Sequence, residues 1–241
     1  MPLGMELDYR LRWMDFDRYG RLHPTLIIDI FQDIATVHAE QMGIGRDAMV
    51  ERGVFWAVVR SKLEVVKAPS QLQVVTVRTW PNAPTRFSFV RNFTMCDEKG
   101  DVLVKAMNEW VLMGLESRAF ISVKDHYDGP DDFDEARVFE GKLRKIADFA
   151  EGSQPVIEIV PRYSDIDVNG HVNNARYANY VIDALNPGEH GSIKTMQIDY
   201  RHEVLPDVPL AMHTLVEDGR VLSKGVNEQG ETAFACLIET A

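Results

Sequence analysis

Two stretches of the sequence resemble each other: RWMDFDRYGR at residues 12–21 and RYSDIDVNGH at residues 162–171. They lie 150 positions apart and keep an Arg, two Asp and a Gly in the same places. Further along, residues 62–65 match residues 197–200 at an offset of 135, and residues 100–102 match residues 230–232 at an offset of 130. The order is the same in both halves and the offset only shrinks, as expected when one copy of a duplicated domain has shorter loops. The sequence therefore predicts a tandem repeat.

Each copy has the pattern of a strand, a turn, a helix and then several strands. In the first copy the helix is expected to begin at Pro24-Thr25, with Thr25 as N-cap and Gly43 just after its end. In the second copy Asn173 or Asn174 is expected to cap a shorter helix. Strands are expected at residues 55–66, 74–80, 87–95 and 102–113, and again at 194–200, 210–217, 221–226 and 232–239. One helix followed by antiparallel strands, twice, predicts an α+β protein in which each sheet wraps a helix.

Three segments follow from this repeat. We expect an N-terminal domain at residues 1–125, a linker at 126–154 and a C-terminal domain at 155–241. The linker begins acidic and then turns basic, which predicts a solvated connection with a short helix. The second helix is expected to run through Leu185 and to end at Asn186-Pro187-Gly188.

Composition and charge exclude several function classes. The net charge of −11 is unfavourable for binding nucleic acid, and no apolar run is long enough to cross a membrane. The chain has none of the nucleotide-binding, zinc-protease or serine-hydrolase motifs GxxxxGK[ST], GxGxxG, HExxH and GxSxG. The two cysteines suit a reducing compartment, and residues 1–6 lack the features of a secretion signal, so a cytoplasmic location is expected.

The densest cluster of reactive side chains lies in the loop before the second helix. Asp167, Asn169 and His171 occupy alternate positions there, and Glu203 follows a predicted buried strand. In the first copy the positions of Asn169, His171 and Glu203 hold Tyr19, Arg21 and Ala68. The joint absence of the polar set from one copy is expected if one of two equivalent sites has been lost. The alternative is that Asp, Asn and Gly here only build a turn.

The stretch DVNGHVNN at residues 167–174, followed by Tyr177, resembles the signature of the acyl-acyl carrier protein thioesterases of plants and bacteria. The first copy resembles them too, at Gln32, Ala35, His38, Gly43, residues 56–60, Thr79-Trp80, Gly100 and Trp110. The resemblance implies a tandem double hotdog fold, in which two helices, each wrapped by an antiparallel sheet, form a pseudo-dimer. It also implies hydrolysis of the thioester between a fatty acyl chain and an acyl carrier protein, with no cofactor and no metal. A homodimer is a further expectation.

Carried over from the family, the catalytic residues are Asp167, Asn169, His171 and Glu203. Val204 stands where plant members have a Cys once proposed as nucleophile, so a cysteine triad is excluded. The sequence also departs from the plant pattern at Gly170 and Tyr180. We expect water to attack, with Glu203 as general base, which calls for burial or a neighbouring carboxylate such as Asp167. Backbone N–H groups of residues 172–174 would stabilise the oxyanion. Attack by Glu203 itself through an anhydride stays open.

The acyl chain is predicted to lie along the apolar face of the first helix, at Ile30, Phe31 and Ile34, in the copy that lacks the polar set. The face also includes Ile27 and Val37. Because carrier proteins are acidic like this chain, docking would need a local basic patch. The candidates are Arg10, Arg12, Arg18, Arg21, Lys142, Arg144 and Lys145. The alternatives are an acyl-CoA thioesterase, a hotdog dehydratase or a hotdog protein that binds acyl thioesters without cleaving them.

Overall fold

The computed structural model describes residues 3–149, 155–186, 188, 191–217 and 219–240. These residues contain eleven β-strands and four α-helices. The first half holds β1 (Met5–Arg10), α1 (Pro24–Gln41), α2 (Arg46–Glu51), β2 (Val54–Val65), β3 (Val74–Pro81), β4 (Phe89–Cys96), β5 (Val102–Gly114), β6 (Phe120–Ile121) and α3 (Val123–His126). The second half holds β7 (Ile157–Ile159), α4 (Arg176–Leu185), β8 (Ile193–Tyr200), β9 (Leu210–Glu217), β10 (Arg220–Val226) and β11 (Thr232–Thr240). The structure confirms the eight predicted long strands, and each begins and ends within two residues of its predicted limits.

Both halves have the same strand order. The sheet runs β1-β3-β4-β5-β2 through the first half and continues β8-β11-β10-β9-β7 through the second, with every neighbouring pair antiparallel. Each half therefore repeats one arrangement in which the first long strand after the helix lies at the centre of the joined sheet. The predicted repeat of helix-wrapped antiparallel sheets is confirmed.

The halves join where β2 pairs with β8. In this pair Lys62 lies opposite Gln197, the residue to which the offset of 135 aligns it. A pair of equivalent residues facing each other marks the position of a pseudo-two-fold axis. Arg60 crosses the joint to Asp199, with Nε 2.9 Å from Oδ1, and the Asp199 side chain is almost fully buried.

Helix α1 packs its apolar face against the sheet of its own half. Ile30, Phe31 and Ile34 are buried, and Phe31 stacks on Phe93 with ring centroids 5.0 Å apart. Val37, predicted for the same face, is 37% exposed, because it lies outside the angular range that the sheet covers. Gly43 adopts φ +73° after the helix end, as predicted.

The predicted N-caps differ from those in the structure. His23 precedes α1 and Pro24 occupies its first turn, whereas the Thr25 hydroxyl is bonded to Asn179 of α4. Helix α4 begins at Arg176 rather than directly after an Asn cap, since Asn173 Oδ1 accepts from the Ala175 N–H in a turn before it. It ends at Leu185, as predicted, with Asn186 in a left-handed conformation. Pro187, part of the predicted helix end, lies outside the described residues.

The linker begins at the end of the short helix α3, and most of the residues that follow it up to 149 are exposed, as predicted. Residues 150–154 fall outside the described part. The bonds of the linker to the sheet were not predicted: the Leu143 carbonyl accepts from Arg60, the Ile146 N–H donates to Asp199, and the Ala136 carbonyl accepts from Trp80. The segment is thus a strap that also satisfies polar side chains of both halves. The domain limits at 125 and 155 stay predictions.

Candidate active site

A tight loop at residues 166–172 holds the predicted cluster. Ile166 and Val172 form an isolated bridge, and inside it the Asp167 N–H donates to the His171 carbonyl at 2.9 Å. Gly170 has φ +80°, a conformation that a side chain would strain. The loop thus turns sharply and presents Asn169 to solvent.

Asp167 builds this turn. Its Oδ1 accepts from the Asn169 N–H at 2.8 Å. In the first half, Asp17 Oδ1 accepts equivalently from the Tyr19 and Arg21 N–H groups. The first half forms the same bond although it lacks the polar set. The presence of Asp167 is therefore explained by its role in the structure of the turn.

His171 and Glu203 come together across two loops. His171 Nε2 lies 3.2 Å from Glu203 Oε2, and the neighbouring Val172 N–H donates to the Val204 carbonyl at 2.9 Å. The His171 side chain is 23% exposed and the Glu203 side chain 48% exposed. Glu203 lies in the loop just after β8, which ends at Tyr200 as predicted. Its side chain is half-exposed, so burial, one of the two conditions expected for a base here, is not met.

Two arginines of the first half approach this cluster, and the sequence did not predict either. Arg118 Nη1 lies 3.2 Å from Glu203 Oε1. Arg46 Nε lies 3.5 Å from Asn169 Oδ1, the outer limit of a hydrogen bond. The neighbour of Glu203 is therefore a cation from the other half, in place of the carboxylate that the sequence suggested.

A signal for one of these arginines was present in the repeat. The offset falls from 150 to 135 between residues 21 and 62, so the first copy has 15 residues there that the second lacks. Those residues include α2, which begins with Arg46, and the additional length of α1. Copy-specific segments are the ones that make two equivalent sites differ. Arg118 lies in a short turn, and the comparison of the two copies gives no length difference that singles out this turn.

Tyr177 of α4 forms the floor below the two loops. Its ring packs edge-on against Phe234, with centroids 4.9 Å apart. Burial raises the pKa of Tyr177 well above its ordinary value, with the charges of Glu203 and Asp167 acting in the same direction and a hydrogen bond from the Val204 backbone opposing it. The phenol therefore stays neutral, and the group that lies below the cluster is polar but uncharged.

Two of the three predicted oxyanion donors are occupied. The Val172 N–H donates to Val204, and the Asn173 N–H donates to the Asp165 carbonyl at 2.8 Å. Of the predicted set 172–174, only the N–H of Asn174 stays as a candidate. The reason is that α4 begins later than the sequence suggested, so the preceding residues form a turn with its own hydrogen bonds.

The equivalent loop of the first half is filled by its own side chains. Arg21 donates to the Gly191 carbonyl at 2.7 Å and pairs with Asp17 at 3.1 Å. Its guanidinium lies 4.5 Å from the Tyr19 ring centroid, and Arg18 stacks on the same ring. Arg21 and Tyr19 thus occupy the positions of His171 and Asn169 with groups that are already paired.

Ile30, Phe31 and Ile34, the predicted acyl-chain residues, are buried in the main core, which also contains Val172 and Tyr177 beside the cluster. Their contact with an acyl chain stays a prediction.

Cys96 and Cys236 lie on strands, and both are free thiols. Burial raises the pKa of Cys236, whereas Cys96 is only partly buried.

His38 is hydrogen-bonded inside the first half. Its Nδ1 lies 2.9 Å from Arg91 Nη1, and both residues are buried. Since arginine only donates, Nδ1 is the acceptor and the ring proton sits on Nε2. Burial and the adjacent guanidinium lower the pKa of His38 to about 4.

In the described residues, no group of three or more His, Cys, Asp or Glu side chains could hold a metal ion. No helix among them is both long enough and apolar enough to cross a membrane.

Of the predicted basic patches, Arg12 is paired with Asp15 at 2.8 Å. Lys142, Arg144 and Lys145 are exposed on the strap.

Comparison with family models gives two matches that cover most of the chain. The acyl-ACP thioesterase N-terminal domain matches residues 4–129, and the acyl-ACP thioesterase C-terminal domain matches residues 150–239. Among curated proteins, the chain is 26% identical over 231 residues to oleoyl-acyl carrier protein thioesterase 2, chloroplastic, of Arabidopsis thaliana, covering 86% of this chain and 61% of that protein. The chain spans about half the length of the curated relatives it matches.

Solved structures share the fold. An acyl-ACP thioesterase from Bacteroides thetaiotaomicron superposes with a TM-score of 0.85 at 23% identity, over 98% of this chain and 97% of that one. The 12:0-ACP thioesterase from Umbellularia californica superposes with a TM-score of 0.86 at 21% identity, over 99% and 97%. The α+β tandem double hotdog predicted from the sequence is confirmed.

Proposed function

Because the chain belongs to the acyl-ACP thioesterase family, we propose that it hydrolyses the thioester between a fatty acyl chain and the phosphopantetheine arm of an acyl carrier protein. The products would be a free fatty acid and the carrier with a free thiol. The observation that carries the proposal is the 3.2 Å contact between His171 and Glu203, present in the second half and replaced by Arg21 and Ala68 in the first.

The proposed reaction uses water as the nucleophile. Glu203 lies 3.2 Å from Arg118 and 3.2 Å from His171. Glu203 or His171 would take the proton from the attacking water. Asn169 would position the water or polarise the thioester carbonyl, with Asp167 holding the loop. The Asn174 N–H is the proposed oxyanion donor.

Direct attack by Glu203 is the second proposed route. The half-exposed Glu203 carboxylate would attack the thioester carbonyl and expel the carrier thiolate, and water would then cleave the resulting mixed anhydride. Repeated turnover in ¹⁸O water tests this route. Cleavage of the anhydride at the Glu203 carbonyl places label in Glu203, whereas direct attack by water places label in the fatty acid alone.

Docking of the carrier would rely on local charge. The net charge of −11 gives no long-range attraction for an acidic partner. The exposed Lys142, Arg144 and Lys145 on the strap are the proposed contacts, because they form the densest unburied basic stretch among the predicted patches. The homodimer and the cytoplasmic location also stay proposals.

The test is direct. The purified chain is incubated with a series of acyl carrier protein thioesters and with the matching acyl-CoA esters, and released acid and thiol are measured. The proposal expects stoichiometric release from the carrier-bound substrates, with a higher kcat/KM than for the CoA esters. Preference for CoA would support the acyl-CoA thioesterase alternative, and binding without release would support the non-catalytic one.

A further inference from the structure

Arg118 has an unusual backbone. It lies in the turn between β5 and β6, and its φ of +53° is in the left-handed region that favours glycine or asparagine. The turn is closed by its N–H, which donates to the Gly114 carbonyl at 3.0 Å. A long charged side chain in this conformation is rare, and such outliers concentrate at functional sites.

The side chain of Arg118 is held at two points. Its guanidinium carbon lies 5.1 Å from the Phe55 ring centroid on β2, and Nη1 lies 3.2 Å from Glu203 Oε1. The other oxygen of Glu203 faces His171 at 3.2 Å. Each carboxylate oxygen therefore has its own cationic or imidazole partner, so rotation of the carboxylate would break both contacts.

We propose that Arg118 is a positioning residue, supplied by the half without the polar set, which fixes the orientation of the Glu203 carboxylate for the reaction at His171. This inference rests on the proposed hydrolase function. Arg118 acts through Glu203 and need not touch substrate. Arg46 is the weaker candidate for such a role, because its contact with Asn169 is 3.5 Å long and it also pairs with Asp47.

Two groups hold the Glu203 carboxylate, Arg118 from the β5–β6 turn and His171 from the loop before α4. Without Arg118, the carboxylate keeps only its contact with His171 and is free to rotate. The loss should therefore appear in kcat, which depends on the orientation of the carboxylate in the bound complex, rather than in KM.

The test compares three variants of the full chain. Arg118→Met should lower kcat on the order of tenfold at pH 7 with little change in KM, since the pair is half-exposed and its contribution is moderate. Arg118→Lys should recover part of kcat. Arg118→Gly relieves the left-handed backbone, so it should keep the melting temperature at or above the parent value while losing kcat like Arg118→Met.

Arg86→Met is the matched control, because Arg86 stacks on an aromatic ring of the same half at 5.0 Å and faces no residue of the cluster. It should retain the parent kcat and KM. Parent-like kcat in a folded Arg118→Met, or no recovery of kcat in Arg118→Lys, would overturn the inference while leaving the proposed function intact. An unmutated chain without thioesterase activity would overturn both.

Discussion

His171 Nε2 and Glu203 Oε2 lie 3.2 Å apart, although the two residues belong to different loops on either side of β8. The contact is supported by the backbone bond from Val172 to Val204, which ties the loops one residue further along. Both side chains are open to solvent on one side, so a substrate can reach them without rearrangement of the core.

This contact predicts the effect of removing either side chain. His171→Ala and Glu203→Ala should each lower kcat by a factor on the order of 10² or more, the scale of a lost acid–base group. Arg21→Ala, at the equivalent position of the first half, is the control and should keep most of the activity. Parent-like turnover in either folded variant would remove that residue from the mechanism.

The thiols should be dispensable for turnover. The double variant Cys96→Ser with Cys236→Ser should retain its activity, because neither sulfur belongs to the cluster. Cys236 is fully buried, so its replacement by a hydroxyl should lower the free energy of unfolding by about 1–3 kcal/mol. Cys96→Ser alone should have a smaller effect in the same urea titration. A folded but inactive double variant would favour a thiol nucleophile.

His38 should make the stability depend on pH. Its folded-state pKa of about 4 lies below the ordinary value of 6.5. Between these values the unfolded chain binds a proton that the folded chain does not, so the stability falls as the pH is lowered from 6.5 towards 4. His38→Gln keeps an acceptor for Arg91 and should lessen this fall by on the order of 3 kcal/mol. An equally steep loss in urea unfolding of the variant would contradict this assignment.

Ile34→Trp tests where the acyl chain lies. If the chain enters the core of the first half, the larger side chain should shorten the preferred acyl length by a few carbons, since each buried methylene contributes about 0.8 kcal/mol. Turnover of short substrates should persist. Unchanged length preference in a folded variant would place the chain elsewhere, under α4 near Tyr177 and Val181.

The repeat and most of its strands could be predicted because they depend on local pattern. The offset of 135 is matched by the pairing of Lys62 with Gln197 at the joint, so an alignment of weak similarity identified residues that are equivalent in space. Gly43 was predictable for a similar reason, since a left-handed helix end needs glycine.

What could not be predicted depends on contacts between distant segments. Nothing in the linker sequence shows that its backbone would bond to Arg60 and Asp199 of the sheet. Arg118 is 85 positions from Glu203, and only the folded joint brings them together. The end of β8 at Tyr200 was predicted, but the exposure of Glu203 depends on how the loop after this strand packs against the loop before α4, which is again a contact between distant segments.

The most direct test of the central claim is mass spectrometry of the carrier protein itself. An acyl carrier protein that bears a saturated fatty acyl thioester is incubated with the parent chain and with Glu203→Ala. The mass of the carrier protein is measured over time. The account predicts that the parent converts the acylated carrier to the free-thiol form in step with fatty acid release, and that the variant is slower by a factor on the order of 10² or more. A carrier that keeps its acyl group with the parent chain would contradict it, as would equal rates for both proteins.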